Sequence, residues 1–452
     1  MIYNIILLTY ISNSVIGISA LILHSFLAVP FASQALPRFI TTMRQSDCLY
    51  IFYCFLSLQL VAVYLYLGIF RLSQVPYLFF QKDLKKFLLQ KQFLLNPREI
   101  SEISGIEVVM SSLRAVQYDP QNPCGRNIDI FLQARVKGIF PSSYYQWIYE
   151  DRKGVETWDK ELCMIPVEDL PVCRGRFTAS RIRKLSSFKK KYKKELNEIF
   201  CFTKKNGPVC SADIKDKTGK KALDVLWKNG DIVVSHRKNG IKYYDLASKV
   251  YGDDFNWNEN TEINKEQIVR RIKSVGVLPC PAVGTGWLGV GISREITPLL
   301  NELIKEEKVY KIKIKDTDQA YVINSDDLKL LNNIHKISFS KKMSFLPPLD
   351  NLLWDREMIK DIFGFTYKFE AYTPDKNRKY GHYVLPILYG LDFIGRIEPM
   401  LNNVNRVLEI KGLWMEENFQ WNKNSKLKFE TYLRYFKKYI GAQEVKWLCK
   451  KY

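Results

Sequence analysis

Metal-ligating and redox side chains are scarce in this sequence. The four histidines, His24, His236, His335 and His382, form no cluster. The nine cysteines, at 48, 54, 124, 163, 173, 201, 210, 280 and 449, include no C-x-x-C pair. Neither a structural zinc site nor a redox dithiol is expected, and unpaired thiols suit a reducing cytosol. Acid is also short against base. There are 47 Asp+Glu against 68 Lys+Arg, a net charge of +21, which excludes an acidic disordered solubiliser. Such a surplus concentrates polyanions, so nucleic acid or an anionic membrane is the first partner to consider, beside a merely lysine-rich soluble protein. Apolar residues are plentiful. At 47% hydrophobic and 13% aromatic over 452 residues, the chain can fill the cores of two to four domains.

Charge is missing altogether from two early stretches. Residues 1–37 and 48–70 contain no Asp, Glu, Lys or Arg, and each is long enough for the roughly 20 apolar residues of a bilayer-crossing helix. Arg38, Arg44 and Asp47 lie between them, and Arg71 closes the second. The first lacks the positive n-region of a signal peptide. Two readings stand: a helical membrane hairpin, or a translation start assigned too far upstream. After Arg71 the composition is that of a basic soluble module.

That module reads as helices followed by hairpins. Residues 82–95 and 97–116 show helical apolar spacing, with Pro97 able to open the second helix. Lys221–Asn229 predicts a short helix running into two β-rich runs joined by Asn239-Gly240, a turn pair suited to the positive φ angles of a type I′ hairpin. A second copy follows, with Ile296–Glu306 as helix and a hairpin around Asp316–Gln319. Leu223, Leu226 and Ile232 correspond to Leu300, Leu303 and Val309 at a constant offset of 77. A repeated helix with a two-stranded wing is the pattern of winged-helix domains. Residues 366–416 are rich in strand signals.

Charge gathers at 174–194, which holds ten Lys/Arg and no acid. Arg181, Arg183, Lys184, Lys189, Lys190 and Lys191 are the expected phosphate contacts, with Phe177, Phe188 and Tyr192 interleaved beneath. For catalysis the candidate is Gln117-Tyr118-Asp119, just before Pro120. In an extended segment Gln117 and Asp119 share a face while Tyr118 points into the core. A carboxylate beside an amide can orient a water and stabilise a developing cation. The bland alternative is an Asp that starts an Asx turn before proline. Arg126 and Arg135 follow at nine-residue spacing.

Taken together, VQYDP (116–120), Arg126, Arg135, ETWDKELCMIPVEDLP (156–171), GPVCSADI (207–214), FLPPLDNLLWDR (345–356), FGFTYKFEAY (363–372) and RKYGHYVLPILYGLDFIGRIE (378–398) resemble the crosslink-repair DNA glycosylases of the AlkZ/YcaQ type. These are also known as winged-helix DNA-binding domain proteins. The likeness runs in order from about residue 80 to the C-terminus; the first seventy residues have no counterpart. It implies tandem winged-helix domains around a concave basic surface, and excision of N-alkylated purines, in some members with unhooking of interstrand crosslinks. It also implies catalytic roles for Gln117 and Asp119, in the Gln-x-Asp version of the YcaQ branch. Two departures stand out: Lys160 and Ile128 occupy positions where the family often has His.

The expected fold is mainly α with small β wings, an α+β chain of tandem winged helices preceded by a hydrophobic segment. The expected division is 1–77 for that segment and 78–200 for a first winged-helix-like unit carrying the motif and the basic run. Residues 201–260 form a winged-helix unit, 261–340 the second helix-hairpin repeat and 341–452 a strand-rich domain. The expected function is a monofunctional DNA glycosylase acting on double-stranded DNA with alkylated or crosslinked purines. Arg126, Arg135, the basic run, Arg378 and Lys379 are its expected DNA contacts. An N-alkylated purine is already cationic and leaves readily, so no metal or other cofactor is required. A cytoplasmic, nucleoid-associated monomer is expected, with membrane association through residues 1–70 as the alternative location. The rival function is a non-catalytic winged-helix regulator.

Overall fold

The structure, a computed structural model, describes residues 76–173, 186–252 and 264–451. All of these lie in a compact unit spanning Val75–Tyr452. The hydrophobic stretches before Arg71, as well as Phe177, Arg181, Arg183 and Lys184, lie outside the described residues. Among those described, no helix is long and apolar enough to cross a membrane.

The first helix among the described residues, Gln81–Lys91, buries Leu84, Phe87 and Leu88 at the i, i+3, i+4 spacing of one helix face. The next is shorter than its apolar periodicity predicts. It runs from Glu102 to Leu113 rather than from Pro97. Tertiary hydrogen bonds outweigh local propensity here. The Arg98 amide donates to the Arg135 carbonyl, its guanidinium reaches Ala134 O, Ser344 Oγ and Met343 O, and Ile100–Ser101 pairs in parallel with Val136–Lys137. Arg98 has a positive φ of 63°, which interrupts a helix running on from Pro97, and Glu102, at the helix start, has a φ of 59°.

Both helix-plus-hairpin copies are present. Helix Lys217–Asn229 is capped by Asp216, which accepts the Gly219 amide, and ends at Gly230 in the left-handed region. It leads into the antiparallel pair Ile232–Lys238 and Ile241–Leu246, where Asn239 and Gly240 both have positive φ, 51° and 82°. Helix Ser293–Lys305 leads into Val309–Ile314 and Ala320–Asn324. All six offset-matched residues, Leu223, Leu226, Ile232, Leu300, Leu303 and Val309, are buried. The second copy is larger, because Leu278–Cys280 and a parallel strand, Tyr77–Phe79, extend its hairpin to four strands.

Strand content exceeds small wings. Met343–Phe345, Leu385–Tyr389, Asp392–Asn402, Val407–Met415 and Glu444–Trp447 build a five-stranded sheet. Helix Lys423–Tyr439 covers it, stacking Phe429, Tyr432 and Phe436 around Phe345 with ring centroids 4.8–5.7 Å apart. The architecture is therefore a mixture of helix and sheet. One continuous apolar core unites Val116, Ile128, Phe131 and Met164 with Tyr383, Ile397 and Phe436. The strand that carries Gln117 and the C-terminal sheet thus share a core, and this brings loop 378–383 beside the Gln-x-Asp segment.

Candidate active site

Arg114 adopts the left-handed conformation (φ 63°) and turns the chain out of the Glu102–Leu113 helix. The two-residue strand Val116–Gln117 then pairs with Leu162–Pro166, Val116 opposite Met164 and Gln117 opposite Cys163. The Tyr118 amide continues the ladder to Leu162 O at 2.8 Å. Asn127, fully buried, holds this segment from behind: its Nδ2 donates to Gln117 O at 2.8 Å, and its Oδ1 accepts the Leu349 amide at 3.0 Å.

Gln117 and Asp119 are 7% and 6% exposed. The Gln117 carboxamide makes no hydrogen bond among the described residues, and its Oε1 is buried without a partner. An unsatisfied buried acceptor costs about 1–3 kcal/mol, so this one is suited to a bound water or ligand group. Asp119 Oδ1 accepts the Gln121 amide at 2.8 Å. That contact is the Asx turn of the bland alternative, and it leaves Oδ2 without a protein partner among the described residues. Burial raises the carboxyl pKa above the usual aspartate value, opposed by the Gln121 amide and by His382. His382 Nε2 lies 2.9 Å from Gln121 Oε1, and its backbone amide donates to Glu398 Oε1 at 2.6 Å. The Tyr383 hydroxyl, within electrostatic reach of Asp119, is also buried without a partner. The segment therefore brings together a largely buried carboxylate, an amide oxygen and a phenol, the last two without hydrogen-bond partners among the described residues.

Tyr118 faces the other way. Its ring lies 4.6 Å from the guanidinium of Arg237, on the first hairpin. Arg237 in turn holds Glu156 through two hydrogen bonds of 2.7 and 2.6 Å, and both side chains are buried. Tyr149 OH also donates to Glu156. Arg126 is half-buried, bonded to Ser142 Oγ at 3.4 Å and within electrostatic reach of Tyr144, Tyr118 and Asp129. It therefore neighbours the motif.

Arg135, expected at the DNA surface, is placed in the core instead. It is fully buried, its guanidinium bidentate to Asp350 at 2.9 and 2.8 Å and also bonded to Gln92 O and Phe131 O. With no face in solvent, it is a core ion pair. Arg378 spends its guanidinium inside its own loop, on Glu370 O, Thr373 O and Asp375, whereas the Lys379 side chain is exposed. Lys189, Lys190 and Lys191 are exposed among the helical residues 186–191, with Phe188 buried beneath and Tyr192 4.5 Å from it. Lys189 is tied to Asn229, and Lys191 lies 5.2 Å over the Tyr192 ring. Of the two departures from the family pattern, Ile128 is a fully buried core residue. Lys160 lies 5.5 Å over the Trp354 ring, its pKa pushed down to about 8 by burial and by Arg271.

The positioning roles of Asn127, His382, Gln121, Glu156 and Arg237 have no sequence pattern of their own. Their only signal is location: Glu156 and His382 fall inside the segments 156–171 and 378–398, and Arg237 precedes the Asn-Gly turn.

The model of the AlkZ-like DNA glycosylase family matches residues 110–432. Among solved structures, the DNA glycosylase AlkZ of Streptomyces sahachiroi shares the fold, with a TM-score of 0.54 at 13% identity, covering 82% of this chain and 100% of that one. The matched segment includes the Gln-x-Asp strand, both hairpins and most of the C-terminal sheet, and the chain belongs to the AlkZ-like DNA glycosylase family.

Proposed function

We propose that the protein is a monofunctional glycosylase that hydrolyses the N-glycosidic bond of N-alkylated purines in duplex DNA, including crosslinked ones. The observation that carries this is the pairing of an unsatisfied Gln117 Oε1 with a buried Asp119 carboxylate two residues on. A purine alkylated at N7 or N3 is cationic, so its departure leaves an oxocarbenium-like sugar and needs no strong acid. Asp119 stabilises the positive charge at C1′ and, with its raised pKa, accepts a proton from the attacking water. Gln117 holds that water. Asp119 and Gln117 supply acid–base and positioning chemistry from protein side chains alone.

Two helix-plus-hairpin copies, each with its offset-matched residues buried, support reading 201–260 and 261–340 as tandem winged-helix units that grip DNA. The motif unit, 78–200, and the strand-rich 341–452 would then flank the lesion. Arg126 is the proposed contact nearest the lesion; Lys189, Lys190, Lys191 and Lys379 are proposed phosphate contacts, and Arg181, Arg183 and Lys184 belong to the same basic run. A nucleoid-bound monomer suits a groove built from one chain.

One observation favours the rival reading of a DNA binder without catalysis: Asp119 already has a structural duty in the Asx turn. Incubating the full chain with duplex DNA carrying N7-methylguanine separates the two. Abasic sites support the glycosylase; tight binding with no abasic sites supports the regulator.

A further inference from the structure

A cavity of about 910 Å³ opens in the C-terminal sheet domain, between the Asp392–Asn402 strand and loop 378–383. Its lining carries four acids and four bases, and they differ in how many are tied up by partners. Among its acids, Glu370 is occupied by the Lys379 and Tyr380 amides at 3.0 and 2.9 Å, Asp392 by Lys85, and Glu416 by Arg396. Glu370, held by backbone amides alone and within electrostatic reach of Lys368, and Glu417 make no ion pair among the described residues. Against them stand Lys341, Lys368 and Lys379, all exposed and none in an ion pair among the described residues. Arg396 lies between the Phe365 and Tyr380 rings, its guanidinium 4.7 and 4.2 Å from their centroids, and is 4% exposed. Its Nε is buried without a partner, so a donor in the cavity wall is unsatisfied. Tyr389, below Lys341 at 5.9 Å, adds another ring.

Rings for a base and exposed ammonium groups outside any ion pair for a phosphate are together the chemistry of a nucleotide. We propose that this cavity is a binding site for one nucleotide unit, its phosphate on Lys368 and Lys379 and its base against the aromatic wall. The proposal rests on DNA being the substrate. Loop 378–383 gives the cavity a physical link to catalysis. Its outer residues, Lys379 and Tyr380, line the cavity, while His382, three residues on from Lys379, reaches Gln121 and so the Asp119 turn. A nucleotide seated here would steady that loop from the side opposite Asp119. The nucleotide could belong to the DNA strand beside the lesion or be free in solution; the recognising chemistry is the same.

The test uses the full chain and two probes, deoxyguanosine monophosphate by calorimetry and a labelled three-nucleotide single strand by anisotropy. At least one probe should bind, and Lys368→Glu, at an exposed position, should weaken it roughly tenfold, as should Tyr380→Ala through the loss of stacking. Binding of the monophosphate identifies a free-nucleotide site; binding of the trinucleotide alone identifies a strand site. The proposal is overturned if neither probe binds, if Lys368→Glu leaves binding unchanged, or if orthophosphate competes as well as the monophosphate. Release of 7-methylguanine is measured in parallel on unaltered protein, so failure of the glycosylase reading and failure of the cavity are seen separately.

Discussion

Arg237 stacks its guanidinium 4.6 Å over the ring of Tyr118, the residue between Gln117 and Asp119. Through this contact, and through the paired hydrogen bonds from Arg237 to Glu156, the first hairpin is fastened to the sheet that carries the motif. The hairpin and the motif strand are therefore joined by direct contacts, although they lie far apart in sequence.

Removing one partner of a buried ion pair strands the other charge, at a cost of roughly 3–5 kcal/mol. Arg237→Met should lower unfolding stability by about that amount, and adding Glu156→Gln should restore part of it. Urea unfolding of the single and double variants measures both effects. Equal stability of Arg237→Met and the parent would mean that the hairpin is not anchored this way.

Asp119 predicts a trade between stability and function. Its folded-state pKa is raised, so ionisation disfavours the fold, and that penalty is present once the pH exceeds the folded-state pKa. Asp119→Asn removes the buried charge yet keeps an oxygen for the Gln121 amide. Its Tm should match or exceed the parent's near neutral pH, with the difference vanishing in acid, where Asp119 is protonated. A large loss of Tm at neutral pH would assign the carboxylate a structural role instead.

The same raised pKa sets the acid side of the rate profile. Activity that needs ionised Asp119 should fall at a pH above the ordinary aspartate value of about 3.9. His382→Gln preserves a partner for Gln121 but removes a group that lowers the Asp119 pKa, so the acid limb should shift upward. Profiles of kcat/KM with and without His382 supply the comparison, and superimposable limbs would sever His382 from Asp119.

Replacing Lys189, Lys190 and Lys191 by Ala should weaken binding to damaged and undamaged DNA alike. The salt dependence should flatten by up to about 0.9 for every phosphate that is no longer neutralised. An unchanged slope would make these lysines an ordinary solvated face.

What the sequence makes legible is local. Asn239-Gly240 announces a turn because few residue pairs tolerate two positive φ angles, and both angles are there. The offset of 77 is legible because buried leucines recur at fixed distances from a strand start. Arg135 reads as a DNA contact from its spacing, yet its partner, Asp350, lies 215 residues away and no local pattern pairs them. The helix expected from Pro97 is shortened for a similar reason: Arg98 is claimed by Ala134, Met343 and Ser344. The cavity beside Arg396 and the reach of His382 to Gln121 depend on loops meeting across a shared core, which periodicity does not encode.

The most direct test of the central claim is single-turnover release of 7-methylguanine from duplex DNA by Asp119→Asn. If the carboxylate stabilises the oxocarbenium-like sugar and takes the proton of the water, the rate should fall on the order of 10²–10³, about 3–4 kcal/mol of transition-state stabilisation. Binding to lesion-free DNA should hardly change. Gln117→Ala should slow release less, because it positions water without carrying charge. Release by Asp119→Asn at the parent rate would contradict the account and leave Asp119 as the hinge of an Asx turn in a protein that only binds DNA.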